Sequence, residues 1–468
     1  MVFSSLIFLF VFLPINLILY YASGKAIYRN IILIFFSLLF YAWGEPIWIV
    51  VLLFSSFFDF MNARLIENAR SKVQKKGVLV LSITVNLGLL IAFKYSGFIY
   101  ENINSLIELP FNKPVNNLPI GISFYTFQTI SYVIDVYRGD VKAQRNPLKF
   151  LLFVSLFHQL VAGPIVRYKT IADEIDKRAF SWEDFSSGVS RFSFGLFKKV
   201  FIANGAGVFV DRYLIHEFAT IGSFEAGFGL IMFAIQIYFD FSGYSDMAIG
   251  LGRMFGFHYD ENFKHPYAAN SITDFWRRWH ISLGSFFRDY VYIPLGGNRK
   301  MQMRNLIVVW ALTGLWHGAS WNFLIWGLYF CFLLILEKAF LLKFYSKIPR
   351  IFRHLATLIL VIYGWIFFYF EDMNSIGAFH AKLFNNELYV SSSLFYNVLI
   401  QNIFWIALVV ILCFPWNELL TYNTKKYKLT LLFSSKSYLT PIISLLLLLV
   451  STCYLVGSTY NPFLYFRF

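Results

Sequence analysis

Two histidines, His280 and His317, each stand directly after a tryptophan, inside or at the edge of apolar sequence where an ionisable group is costly. Both fall in a stretch from Asn270 to Phe330 that is more polar, aromatic and charged than the chain around it: NSITDFWRRWHISLGSFFRDYVYIPLGGNRK, a short spacer, then LTGLWHGASWNFLIWGLYF. A neutral imidazole is the usual general base near neutral pH and can take the proton of a hydroxyl as that hydroxyl attacks a thioester. Around His317, the neighbours Trp316, Ser320, Trp321 and Asn322 make a polar, aromatic lining of the kind that positions a substrate. An unpaired imidazole in hydrocarbon would otherwise destabilise the fold. Around His280 stand Trp276, Arg277, Arg278 and Trp279. Guanidinium groups there can hold the phosphates of a ligand while an indole covers its flat or apolar part. The same residue types also serve as interfacial anchors with no ligand at all.

Other chemistries fit less well. His280 and His317 are 317 − 280 = 37 residues apart with no third His, Cys or carboxylate at ligand spacing, so no metal site is expected. There is no G-x-S-x-G elbow and no P-loop, which speaks against a self-contained serine hydrolase or an ATP-driven pump. Asp240 and Asp246 are six residues apart, on different helix faces, and read as partners of basic groups in a bundle interior. His158 reads as a core residue. Cys331, Cys413 and Cys453 sit in apolar runs with no metal or disulfide spacing.

The elements that must position these groups are membrane helices. Hydrophobic residues make up 58% of the chain, the mean hydropathy is +0.60, and apolar runs of spanning length recur to the C-terminus. The 40 basic residues against 26 acidic ones fit cytoplasmic loops and membrane lipids better than nucleic acid. The first run lacks a basic leader and a small-residue cleavage site and is followed by Lys25 and Arg29, so it is expected to remain as a first span with its N-terminus outside. Basic loops then alternate with acidic ones: Arg64 to Lys76 inside, Glu101 and Glu108 outside, Arg138 to Lys149 inside. The alternation breaks twice. LLFVSLFHQLVAGPIV lies between Lys149 and Arg167, and Leu306 to Leu336 lies between Arg304 and Lys338, so both ends of each segment read as cytoplasmic. Each is expected to enter and leave on one face, turning at Gly163-Pro164 and at GLWHGASWN. That puts His317 near a hairpin tip flanked by Gly314 and Gly318, while the eight basic residues from Arg253 to Arg304 keep the intervening stretch on the cytoplasmic side or at the interface. A basic loop at Lys425, Lys426, Lys428 and Lys436 precedes a final outward span.

The sequence resembles the membrane-bound O-acyltransferases. The resemblance runs over nearly the whole chain: LLFYAWGEP, HQLVAGPIVRY, FGLFKKVFIAN, YFDFSGYSDMAIGLGRMFGF, NFKHPY, FWRRWHISLGSFFRDYVYIPLGGNR, LTGLWHGASWNFLIWG and the closing NPFLYFRF. IPLGGNR and NPFLYFRF look more like the bacterial branch that O-acetylates alginate and peptidoglycan than the D-alanyl transfer proteins of teichoic acid synthesis. The resemblance implies an all-α polytopic fold, one domain over 1–468. It is a ring of about ten to eleven transmembrane helices with re-entrant helices around a central tunnel, and the catalytic region is 253–337. It implies His317 as catalytic base and His280 in a supporting or donor-side role; Trp316, Trp321, Asn322, Trp276, Arg277 and Arg278 are expected, from the residue types around the two histidines, to contact substrate. The implied donor is cytosolic acetyl-CoA, with no bound cofactor. The implied partner is a separate extracytoplasmic transferase of serine-hydrolase-like type, and the implied location is the bacterial inner membrane. D-alanyl transfer, or export of an acylated lipid-linked sugar, stays open as an alternative.

Overall fold

In the computed structural model, which describes all residues except 115–117, 162, 217, 219, 385–392, 415–438, 458–462 and 465–468, the regular structure is entirely helical. Among the described residues eight helices are long and apolar enough to cross a membrane, and a ninth span arises if Leu394–Gln401 and Ile403–Cys413, bent by 62°, count as one. The protein is a multi-pass membrane protein. The sequence-based count of ten to eleven also takes in Phe8–Tyr21, which is apolar but shorter than a span, and leaves out the hairpin described below, which was expected to be re-entrant although its second arm, Trp321–Ala339, is one of the eight. The basic loop from Lys425 to Lys436 lies outside the described residues, as does most of the closing motif. The chain divides into two compact units, Met1–Ser193 with Tyr244–Asp260 and Leu455–Arg467, and Phe194–Gly243 with Glu261–Tyr454 and Phe468.

In the first unit, helices Ile49–Asn68, Lys72–Leu90 and Ile122–Arg138 pack together around a polar knot. Asp59, fully buried, accepts hydrogen bonds from Ser82 Oγ at 2.6 Å and Asn86 Nδ2 at 2.7 Å, and Ser55 Oγ donates to Asn86 Oδ1 at 3.0 Å. In hydrocarbon such groups must find partners within the protein, so the knot fixes the register of the helices carrying them. The segment containing His158 does not cross as one helix: it folds as Pro147–Ser155 and Phe157–Leu160, nine and four residues, or about 14 and 6 Å at 1.5 Å per residue. His158 Nδ1 pairs with the Tyr259 hydroxyl at 2.6 Å amid Phe157, Phe255 and Phe257, the core placement its surroundings suggested. Arg191 Nη2 meets Asp246 Oδ1 at 2.8 Å.

In the second unit, Lys199 Nζ meets Asp240 Oδ1 at 2.5 Å, with both side chains almost fully buried. The two aspartates are therefore held in separate ion pairs, as their spacing implied. The element that carries His317 is a helical hairpin, Gln302–His317 then Trp321–Ala339, joined by Gly318–Ser320. Its arms approach closely because two glycines face the opposite backbone: a Cβ at Gly314 would overlap the Phe323 carbonyl, and one at Gly327 the Trp310 carbonyl. Arg350–Tyr369 packs against the second arm and completes the wall behind the hairpin.

Candidate active site

The first wall of the site is built from two helices too short to span, Ile272–Arg278 and Ile281–Phe287. Ser271 starts the first by accepting the Asp274 amide at 3.0 Å, and an extended Trp279 ends it. His280 then takes a left-handed backbone, φ +45°, an uncommon and strained conformation for a residue with a Cβ, and turns the chain into the second helix. The turn is tied down by the Ile281 amide donating to the Asn262 carbonyl at 2.9 Å. The side chain of Asn262, fully buried, holds the imidazole. Its Oδ1 accepts from the Ser282 amide at 3.1 Å, from Ser282 Oγ at 2.9 Å and from His280 Nδ1 at 3.2 Å. A backbone N–H can only donate, so the atom facing it is the oxygen, and the His280 proton sits on Nδ1. Nε2 is left as a buried lone pair with no hydrogen-bond partner among the described residues. Burial pushes the pKa of the His280 imidazolium down to about 3, so the ring is neutral at any physiological pH.

The second wall is the hairpin. His317, the last residue of its first arm, is buried, with its ring edge-on to Trp326 at 4.9 Å and to Phe368 at 5.3 Å. Trp316 lies 5.8 Å from the His280 ring and 5.0 Å from that of His317, centroid to centroid. Both histidines line one cavity of about 440 Å³. Its apolar lining includes Trp276, Leu283, Phe287 and Trp310, and its cations are Arg277, Arg288 and Lys338.

Of the residues singled out on the sequence, His280, His317, Trp276, Arg277 and Trp279 line this cavity, and Trp316, Ser320, Trp321, Asn322 and Arg278 do not. Trp316 packs between the two histidines. Trp321 opens the second arm with more than half its surface exposed, Asn322 donates to the Phe367 carbonyl at 3.1 Å, and Arg278 pairs with Asp274 at 2.9 Å.

Residues 142–380 match the family model described as MBOAT, membrane-bound O-acyltransferase family. The chain is 43% identical over 394 residues to a Pseudomonas syringae pv. tomato protein named "Probable alginate O-acetylase AlgI", covering 82% of this chain and 75% of the relative. The chain belongs to the membrane-bound O-acyltransferase family. A Helicobacter pylori peptidoglycan O-acetyltransferase is 34% identical over 412 residues, covering 80% of this chain and 78% of the relative. A Bacillus subtilis teichoic acid D-alanyltransferase is more distant, 29% identical over 238 residues, or 47% and 59% of the two chains. The cavity falls wholly within the matched span of this O-acyltransferase. Sequence reasoning missed three of its features. Asn262 lies 18 residues before the histidine it orients. Arg288 lies inside the FWRRWHISLGSFFRDYVYIPLGGNR motif but past its histidine, and Lys338 was read only as a basic residue bounding an apolar segment.

Proposed function

We propose that this protein is an inner-membrane O-acetyltransferase subunit that takes acetyl from cytosolic acetyl-CoA and passes it towards hydroxyls of an extracytoplasmic polysaccharide, working with a separate extracytoplasmic transferase. The observation that carries the reading is the shared cavity: two buried imidazoles and three cations around a mostly apolar space suit a thioester whose far end is polyanionic. The names of the relatives, alginate O-acetylase and peptidoglycan O-acetyltransferase, support acetyl as the group and a cell-surface glycan as its destination.

The two histidines divide the work. With the pKa of its imidazolium near 3, His280 is a weak base, and its Nε2 serves as a fixed acceptor for a hydroxyl or a pantetheine amide. His317 is the base. It takes the proton of the acceptor hydroxyl as that oxygen bonds to the thioester carbon; the C–S bond then breaks, and the proton passes to the departing sulfur. The acceptor becomes an acetyl ester, and CoA leaves as the thiol. Arg277, Arg288 and Lys338 hold the donor phosphates. His317→Ala is expected to lower acetylation by roughly 10² to 10⁴ while the folded amount stays near normal, measured as polymer O-acetyl per folded membrane protein. Full activity in that variant would remove His317 as the base, and D-alanine in place of acetate on the polymer would move the reading to the D-alanyl alternative.

A further inference from the structure

The site is formed by two separate pieces of chain, the 272–287 segment and the hairpin, and a carboxylate outside the cavity ties them together. Glu337, in the last turn of the second arm, is fully buried. Its Oε2 accepts from the Ile272 amide at 2.7 Å and its Oε1 from the Thr273 amide at 3.2 Å, and the Tyr345 hydroxyl donates to Oε2 at 3.1 Å. Ile272 and Thr273 begin the helix that carries Trp276 and Arg277 into the cavity and ends just before His280, and Lys338, the residue after Glu337, lines the same cavity. The first-turn amides have no partner inside their own helix. Ser271 takes one of them and Glu337 takes two, so the hairpin completes a helix it is not part of. A buried carboxylate is otherwise strongly unfavourable, and here three donors pay that cost. Apolar packing of Trp276 against Trp310, Trp326 and Phe330 presses the helix onto the hairpin but leaves it free to slide along its axis; directional bonds at its first turn stop that movement.

We propose that Glu337 is a positioning residue for acyl transfer: by clamping the first turn of the Ile272–Arg278 helix to the His317 hairpin, it sets the separation of His280 from His317. The inference rests on the acetyl-transfer reading above. Glu337 does not line the cavity, so its removal acts on geometry. The imidazoles are held on short stems, and a misplacement near 1 Å costs about 10²-fold in rate. The cations that grip the donor sit on long side chains that follow a small shift, so donor affinity is largely kept.

Two substitutions break the clamp from opposite sides. Glu337→Gln keeps the shape but turns an amide donor toward a backbone N–H. Ile272→Pro deletes that N–H at a first-turn position where proline is accepted, because Ser271 before it is already extended at φ −164°, ψ 160°. With membranes containing each variant, CoA release is measured against acetyl-CoA concentration and normalised to folded protein, with His317→Ala alongside. Both clamp variants are expected to lose roughly 10- to 100-fold in kcat with KM changed by less than about threefold. A kcat per folded molecule within about twofold of the parent in both, or a loss confined to the amount of folded protein, overturns the positioning role while His317→Ala remains inactive. If His317→Ala is as active as the parent, it is the acetyl-transfer reading that fails.

Discussion

A buried histidine is useful only in one tautomer, and here an amide side chain chooses it. Asn262 Oδ1 collects three donors, of which one is a backbone N–H, so it cannot rotate to offer its nitrogen without losing them. Asn262→Ala is expected to lower acetyl transfer about 10- to 100-fold by freeing the His280 ring. Ser282→Ala, which leaves Oδ1 two donors, should stay within about threefold. Quantifying O-acetyl per folded protein in both separates orientation from general packing. His280 and His317 were legible in the sequence because ionisable side chains beside tryptophan in apolar surroundings are conspicuous. Their companions were legible only in part, because consecutive residues on a helix point about 100° apart. Thus Arg277 faces the cavity while Arg278 turns to Asp274. Trp321, grouped with the site by its nearness in sequence, begins a new helix and points outward. Asn262 left no local signal, since its contact to His280 depends on a left-handed turn that sequence pattern does not announce.

At the scale of elements, the hairpin was readable as a helix-turn-helix from charge at its two ends and small residues at its break, whereas the tightness of its arms came only from the structure. Gly314→Ala and Gly327→Ala each drive a methyl into the opposite carbonyl, and each is expected to reduce the yield of folded protein sharply, as seen by detergent size-exclusion profiles. Gly88→Ala, in the middle of the continuous Lys72–Asn104 span with no neighbour within 4 Å of the added methyl, should be tolerated and raise stability by about 0.5–1 kcal/mol. The hairpin also makes a topological commitment. Arg304 and Lys338 lie at its open end, so single cysteines at the two positions, in a chain cleared of its own three, are expected to label from the same side of the membrane. Labelling from opposite faces would mean that the segment crosses. The short helices of the His280 segment were expected from eight basic residues, but their clamping to the hairpin through Glu337 was not, since a glutamate at the end of an apolar run reads as an ordinary boundary residue.

For the whole molecule, composition settled the class, and charge alternation recovered most of the helices, because a chain in lipid must satisfy its backbone internally and has few other options. The count was less readable: spans bent or shortened by polar packing do not keep the length that hydropathy expects. One feature reaches beyond the finished fold. Arg191 and Lys199 lie in the Trp182–His216 span, whose mean hydropathy of 1.2 is the lowest of the eight, and each ion-pairs with an aspartate of the Ser223–Met254 helix. Alone, two such cations would raise the insertion cost by roughly 5–7 kcal/mol. Their partners leave the ribosome later, Asp240 following Lys199 by 240 − 199 = 41 residues and Asp246 following Arg191 by 55. At about 5–20 residues per second the wait is roughly 2–8 s for the nearer pair. A nascent chain in which the Trp182–His216 helix has emerged from the ribosome while Asp240 has not is therefore expected to crosslink to the translocon at this helix, and one in which Met254 has also emerged to crosslink there to lipid. The two helices are expected to enter the bilayer together, each unable to settle until the other neutralises it.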